Sequence, residues 1–192
     1  WNERTQMHVK SNFYDNESFL AGKNSLNKIE INELGDVKGK SVLHLQCHFG
    51  QDTLSFARMG AKATGVDFSE EAIKNAREMN EKLGLDADFI NCNVYDLKDN
   101  LDKKFDVIFT SYGVIGWLPD LNEWANLINH FLKPGGIFYI IEFHPVVWMF
   151  DDNFERVEYP YFTTAKPIEI ISTSTYTDSD KELSGITEYS WN

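Results

Sequence analysis

The stretch "HLQCHFGQDTL", residues 44–54, decides how this chain is read. The apolar run Ser41-Val42-Leu43-His44-Leu45 leads into it, and a helix-compatible run from Asp52 leads out of it. Strand, turn and helix in that order are the layout of the loop that meets a cofactor at the first strand of a doubly wound sheet. Of the glycines such a loop usually carries, only Gly50 is present. A dinucleotide lays its pyrophosphate on bare backbone and an unopposed helix N-terminus. Here Gln46, His48 and Phe49 stand where that backbone would be needed, and Asp52 puts a carboxylate at the helix start, where it repels phosphate. The stretch argues against NAD and ATP, and a cofactor without phosphate removes the conflict.

Working outward, residues 40–145 alternate strand and helix, the pattern of an α/β domain with a parallel sheet. Strands are expected at 41–45, 61–67, 87–93, 105–111 and 137–143, mostly as near-continuous apolar runs that suit strands buried on both faces. Helices are expected at 52–59, 69–83 and 120–132, with "KPGG" (133–136) ending the third. In the second, Ser69 can cap, Glu70 and Glu71 favour the positive end, and Gly84 stops the helix. The segment 96–104 is too short and charged to assign. Residues 1–39 form a polar, aromatic-spotted segment, expected to act as a lid, with a short helix near 26–34. Residues 146–192 contain Pro160 and Pro167 and then turn β-branched from Ile168.

The chain has 192 residues, 42% apolar, which suffices for one substantial core. Its 18 Lys plus Arg against 30 Asp plus Glu give a net charge of −12, which repels a phosphate backbone and an anionic membrane. Neither nucleic acid nor membrane is an expected partner. Cys47 and Cys92 have no disulfide or zinc spacing, so no metal is expected and a reducing cytoplasm fits. No apolar run reaches membrane-spanning length. The first residue, Trp1, is not Met, which reads as a trimmed piece of a longer protein.

At these motifs the chain resembles the class I S-adenosylmethionine-dependent methyltransferases, a Rossmann-like family. "VLHLQCHFG" (42–50) follows the frame of that family's first motif, V-L-D-L-G-C-G-x-G, at Val42, Leu43, Leu45, Cys47 and Gly50, and departs from it at His44, Gln46 and His48. The variant loop is similar to that of a small-molecule subgroup. Asp67, seventeen positions after Gly50, matches the acidic residue that holds the ribose hydroxyls, and Phe68 matches the apolar residue beside adenine. Asn93 stands where the family often has an Asp, and "FDVIFTSYG" (105–113) and "LKPGGIFYI" (132–140) match the fourth and fifth strand motifs. The resemblance implies S-adenosylmethionine as cofactor, held by Gln46, His48, Gly50, Asp67, Phe68, Asn93, Val94 and Tyr112. It implies methyl transfer to a small-molecule acceptor, with Phe13, Tyr14 and Trp117 on the acceptor side. His144 and Tyr112 are the candidates for proton removal, and His48 shares that candidacy. Rival readings are a domain that binds the cofactor without turnover and, less favoured, a nicotinamide oxidoreductase.

Several residues read more blandly. Asp52 and Glu70 read as helix-start carboxylates, His44 as a hydrogen-bonded core residue, His8 and His130 as surface residues, and both cysteines as small buried groups. At the end of the chain, 168–176 and 185–191 read as an antiparallel hairpin joined by 177–184. Pro145, Pro160 and Pro167 leave no room for a helix before it, and Ser172 to Thr175 are too polar for a doubly buried strand. The expectation is a hairpin insertion near the mouth of the site, with Tyr189 and Trp191 on one face. The family's closing helix and strands would then lie beyond Asn192, leaving a sheet edge open to self-association.

Overall fold

The computed structural model describes residues 1–151, 153–162, 166–177 and 183–191. Five parallel strands form one sheet: β1 (Ser41–Leu45), β2 (Lys62–Asp67), β3 (Asp88–Asn91), β4 (Phe105–Ser111) and β5 (Leu132–Ile141), in the order β3-β2-β1-β4-β5. The fold is Rossmann-like, as the family resemblance implied, and the parallel sheet is the one the alternating pattern implied. The seven α-helices among the described residues are α1 (Asn2–His8), α2 (Asn16–Leu20), α3 (Lys28–Leu34), α4 (Gln51–Arg58), α5 (Glu70–Leu83), α6 (Leu97–Asn100) and α7 (Leu121–Phe131). β1 is buried at every residue because helices cover both of its faces. On one face Val42, Ala63 and Phe109 pack with Leu34 of α3 and Phe56 of α4. Leu54 of α4 joins Ile73 and Ala76 of α5 on that same side. On the other face Leu43, Leu45 and Ile108 pack with Trp124, Leu127 and Phe131 of α7. The chain runs outward from β1 to β3, then crosses back to β4 on the other side of β1. The loops after β1 and β4 therefore diverge, and the crevice between them is where such a sheet binds its ligand.

Expected and observed boundaries differ where local signals were weak. α1, α2 and α6 have no counterpart among the expected helices, since four to seven residues show no apolar period. "KPGG" does not end α7 in a loop: α7 stops at Phe131, and β5 starts at Leu132 and carries those four residues. A register shift between Phe105 and Val107 of β4 absorbs the irregularity.

After β5 comes a 3-10 turn at Pro145–Met149, then a separate antiparallel hairpin of β6 (Ile168–Ser172) and β7 (Ile186–Ser190). The hairpin does not join the main sheet. Its strands are shorter than the expected 168–176 and 185–191. Of the expected turn, 178–182 lie outside the described residues. Past Ser172 the chain leaves the ladder to meet the N-terminal segment. Arg4, 2% exposed, forks its guanidinium onto the carbonyls of Ser172 and Ser184, at 3.0 Å each. His8 bonds through Nε2 to Thr175 Oγ1, and Tyr14 and Tyr176 share a hydrogen bond through their hydroxyls. This corrects the surface reading of His8, which is fully buried. The partners that bury it lie about 170 positions away, beyond any local pattern. His130 is exposed, and His44 is a core residue whose Nδ1 lies 2.9 Å from Thr53 Oγ1.

Candidate functional site

The loop after β1 has an unusual backbone. Gln46, His48 and Gly50 adopt φ of 54°, 51° and 82°, so every second residue is left-handed. Glycine takes that conformation freely, whereas a side chain costs about 1–2 kcal/mol. This is the physical reason a glycine-rich loop is usual here, and this chain holds the same backbone with Gln and His. The compensation is visible in the hydrogen bonds. Cys47 N donates to Val66 O at 2.9 Å, Gly50 N to Cys47 O at 2.9 Å, and His48 N to Asp67 Oδ2 at 2.8 Å. At Gly50 itself no substitute fits, because a Cβ would sit 2.7 Å from the Phe89 ring and 2.9 Å from Ala76 Cβ.

Asp67 ends β2. Its Oδ2 accepts from His48 N at 2.8 Å and its Oδ1 from Ser69 N at 2.9 Å, and the Phe68 amide also points to the carboxylate, which still leaves it capacity for a further donor. Burial pushes its carboxyl up from the usual carboxylate value, against the pull of these amides. Below Asp67 and the loop lies a cavity of about 1270 Å³. That exceeds the ~300–1,000 Å³ of an ordinary small-ligand pocket, leaving room for two molecules side by side. Phe68, Asn93 and Val94 line it beside β2 and β3, Gln46, Asp52, Ser111 and Tyr112 beside β1 and β4. The roof comes from the two ends of the chain: Phe13, Tyr14, Tyr176, Tyr189 and Trp191, with Trp117.

The structure thus brings together nearly every residue singled out in the sequence. Gln46 Oε1 is buried with no hydrogen-bond donor. Asn93 accepts from Tyr95 N at 3.1 Å, Val94 is buried, and Phe68 is 55% exposed. Tyr14 packs edge-on against Phe49, with ring centres 4.6 Å apart, and Trp117 likewise against Trp1 at 4.8 Å. Tyr112, φ 51°, donates its hydroxyl to Glu30 Oε1 at 2.6 Å and accepts from Asn27 at 2.8 Å. Burial and that carboxylate push the phenol up to about 12, so it holds its proton. His144 does not line the cavity, and its Nδ1 caps the next 3-10 turn by accepting from Val146 N at 3.3 Å.

His48 is enclosed by the roof. Its Nε2 and Nδ1 of His8 share a hydrogen bond of 2.8 Å, and His8 continues to Thr175. Burial lowers His8 to about 4 and His48 to about 3, so both are neutral at physiological pH.

The sequence reading missed two further groups. Glu142, the residue that follows β5, gathers the amides of Gly113, Val114 and Ile115 at 2.7, 2.5 and 3.0 Å. It thereby fixes the turn that carries Tyr112 and Trp117. A carboxylate at the carboxyl end of a strand was the available signal. Asp52 does lie in the first turn of α4, as read, but it also lines the cavity.

Comparison with known proteins agrees with this geometry. A ubiquinone biosynthesis O-methyltransferase of Pseudomonas syringae pv. tomato is 26% identical over 143 residues, covering 72% of this chain and 61% of that protein. This chain spans about three fifths of the length of the curated relatives it matches. Among solved structures, a DhpI–SAH complex superposes with a TM-score of 0.59 at 16% identity, over 98% of this chain and 75% of that one, a likeness of fold alone. The plantazolicin methyltransferase BamL, solved with SAH and a desmethyl analogue, gives a TM-score of 0.50 at 28% identity, over 56% of this chain and 39% of that one. The match that decides the matter runs from residue 36 to residue 182, most of the chain and all of the five-stranded sheet, and by it this protein belongs to the methyltransferase-domain family.

Proposed function

We propose that this chain binds S-adenosylmethionine and directs its methyl group to a small-molecule acceptor. The observation that carries the reading is Asp67: a carboxylate at the end of β2 that pins a glycine-type loop and lines a large cavity. The residues fit the cofactor. Asp67 would accept from its ribose hydroxyls, Phe68 would cover its base, and Asn93 and Val94 would line the base site. Gln46, His48 and Gly50 would shape the loop beneath it, and Tyr112 would border the reacting end. The bound cofactor supplies an electrophilic methyl on a sulfonium.

What the chain's own residues contribute is alignment, exclusion of water and a field suited to a cation. Phe13, Tyr14 and Trp117 form the acceptor side of the roof. Where an acceptor must lose a proton, Tyr112 and His144 are the proposed routes, and they differ in what must change. Tyr112 would first have to release its bond to Glu30, and His144 would have to turn from Val146 into the cavity. No helix among the described residues is long and apolar enough to cross a membrane. With two unpaired cysteines, we place the activity in a reducing cytoplasm.

Titration calorimetry tests the reading. The parent should bind S-adenosylhomocysteine and not NAD, and Asp67→Ala should lose about 1.5–3 kcal/mol of that binding, the scale of a charged hydrogen bond. Tight NAD binding, or equal affinity in the variant, would sink it.

A further inference from the structure

An anion entering a cavity is received by clustered backbone amides, by a helix start or by a cationic side chain. Here the chain's own groups fill these places. Asp67 accepts the amides of His48 and Ser69 at the end of β2, Glu142 accepts those of Gly113, Val114 and Ile115 after β4, and Asp52 sits in the first turn of α4. Among the described residues two cationic side chains line the cavity, and both are engaged. Lys23 pairs with Asp15 at 2.9 Å, and Arg4 directs its guanidinium to the carbonyls of Ser172 and Ser184. Burial keeps His44 and His48 neutral.

What remains open is aromatic and acidic. Phe143, Trp148, Phe150 and Tyr159, on the stretch after β5, line the cavity. The rings of Phe143 and Trp148 meet edge-on with centres 5.7 Å apart and are 52% and 44% exposed, so both have surface left for a further ring. The hairpin supplies another wall. Alternation along its strands turns Ile170 and Ser172 of β6 and Glu188 and Ser190 of β7 to the cavity, while Ile171, on the other face, is 77% exposed. Glu188 is the one charge in that set. Among the described residues it forms no ion pair and accepts no hydrogen bond, and only the field of Arg4 reaches it.

Aromatic faces attract a cation, a half-buried carboxylate holds one by charge-assisted hydrogen bonds, and a net charge of −12 draws cations in and turns anions away. We propose that the methyl acceptor is an aromatic molecule bearing a basic nitrogen, its ring taken by the aromatic wall after β5 and its cationic nitrogen held by Glu188. Glu188 then selects against acceptors that carry a carboxylate or a phosphate. The inference rests on the methyltransferase reading above and names the class of its acceptor.

The test uses the 192-residue chain saturated with S-adenosylhomocysteine and three indoles that differ in charge: tryptamine, a cation, tryptophol, uncharged, and indole-3-propionate, an anion. Calorimetry on the parent should rank them in that order, with tryptamine about tenfold or more tighter than the propionate. Glu188→Gln should weaken tryptamine about five- to tenfold and change tryptophol less than about twofold. Retained S-adenosylhomocysteine binding shows that the variant is folded, and the ranking in the parent needs no variant. Propionate binding as tightly as tryptamine, tryptamine unaffected by Glu188→Gln, or failure of all three indoles to bind overturns the acceptor class while leaving the cofactor reading intact. If the parent does not bind S-adenosylhomocysteine, the cofactor reading falls and this inference with it.

Discussion

Replacing His48 separates two opposed effects that the structure superimposes on one residue. The backbone there is left-handed at φ 51°, so His48→Gly relieves about 1–2 kcal/mol of strain. Against that gain, glycine adds about 0.5–1 kcal/mol of unfolded-state entropy. The hydrogen bond to His8 is lost, about 1 kcal/mol, softened because Tyr176 Oη remains 3.3 Å from the same nitrogen. Burial of the ring, flanked by Phe49, His8, Tyr14 and Trp1 at centre distances of 4.6 to 6.0 Å, is worth about 2–3 kcal/mol more. The net expectation is a loss of about 2–4 kcal/mol, or roughly 4–16 °C in Tm for a domain of this size. His48→Ala removes the same ring and bond but keeps the strained backbone. It should be less stable than the glycine variant by about 1 kcal/mol. Urea melts and scanning calorimetry on the three proteins measure both differences. An alanine variant as stable as the glycine variant would refute the strain argument, and a glycine variant as stable as the parent would refute the role given to the ring. On the proposed function, His48→Gly should also lower affinity for S-adenosylhomocysteine.

Because burial holds His8 near 4 and His48 and His44 near 3, below the ordinary 6.5, the unfolded chain takes up protons first as pH falls. Stability should be full above about pH 6.5 and decline from there toward pH 3, with the raised carboxyls of Asp52 and Asp67, which hold their protons more readily in the folded chain, opposing the decline. Melts across that range on the parent and on His8→Gln should show a shallower slope in the variant, and an identical slope would count against a buried neutral pair. Gly50→Ala must push Phe89 and Ala76 aside at a positive φ, so a loss of about 2–4 kcal/mol is expected, and a urea midpoint within error of the parent would contradict the packing described. Among the described residues β5 pairs only with β4, and Ile137 and Ile140 are exposed on it, so the chain should self-associate and Ile137→Lys should reduce this. Light scattering that finds a strict monomer would remove the open edge from consideration.

What the sequence made legible follows from how local each signal is. β1 and β4 have the expected bounds because an apolar run buried on both faces ends where burial ends. α5 could be read from Ser69, its apolar stripe and Gly84, and Ser69 does accept from Ala72 N. The positions of Asp67, Phe68, Asn93 and Tyr112 around one cavity followed from strand ends, which the fold gathers at a single edge of the sheet. The misreadings are non-local. His8 looked polar and exposed because Thr175 and Tyr176, which cover it, share no pattern with it. Asp52 looked complete as a helix-start charge, and only the approach of Ser111, 59 positions on, reveals it as part of the cavity wall. Glu142 showed no motif, since its partners are backbone amides, which any sequence supplies.

The roof has a consequence for how the protein is made. Arg4 meets Ser184 across 180 positions and Tyr14 meets Tyr176 across 162, while the first strand pairings of the sheet join residues about 21 apart. Loop closure costs only logarithmically more for so long a span, so the roof is affordable at equilibrium. In time it is another matter. At a synthesis rate of roughly 5–20 residues per second, the sheet has its strands several seconds before the hairpin leaves the ribosome. During that interval the aromatic floor of the cavity and the N-terminal segment face water without their cover. A nascent chain halted before residue 172 should therefore hold a protease-sensitive N-terminus on an already folded core, and it should engage chaperones more strongly than the finished protein does.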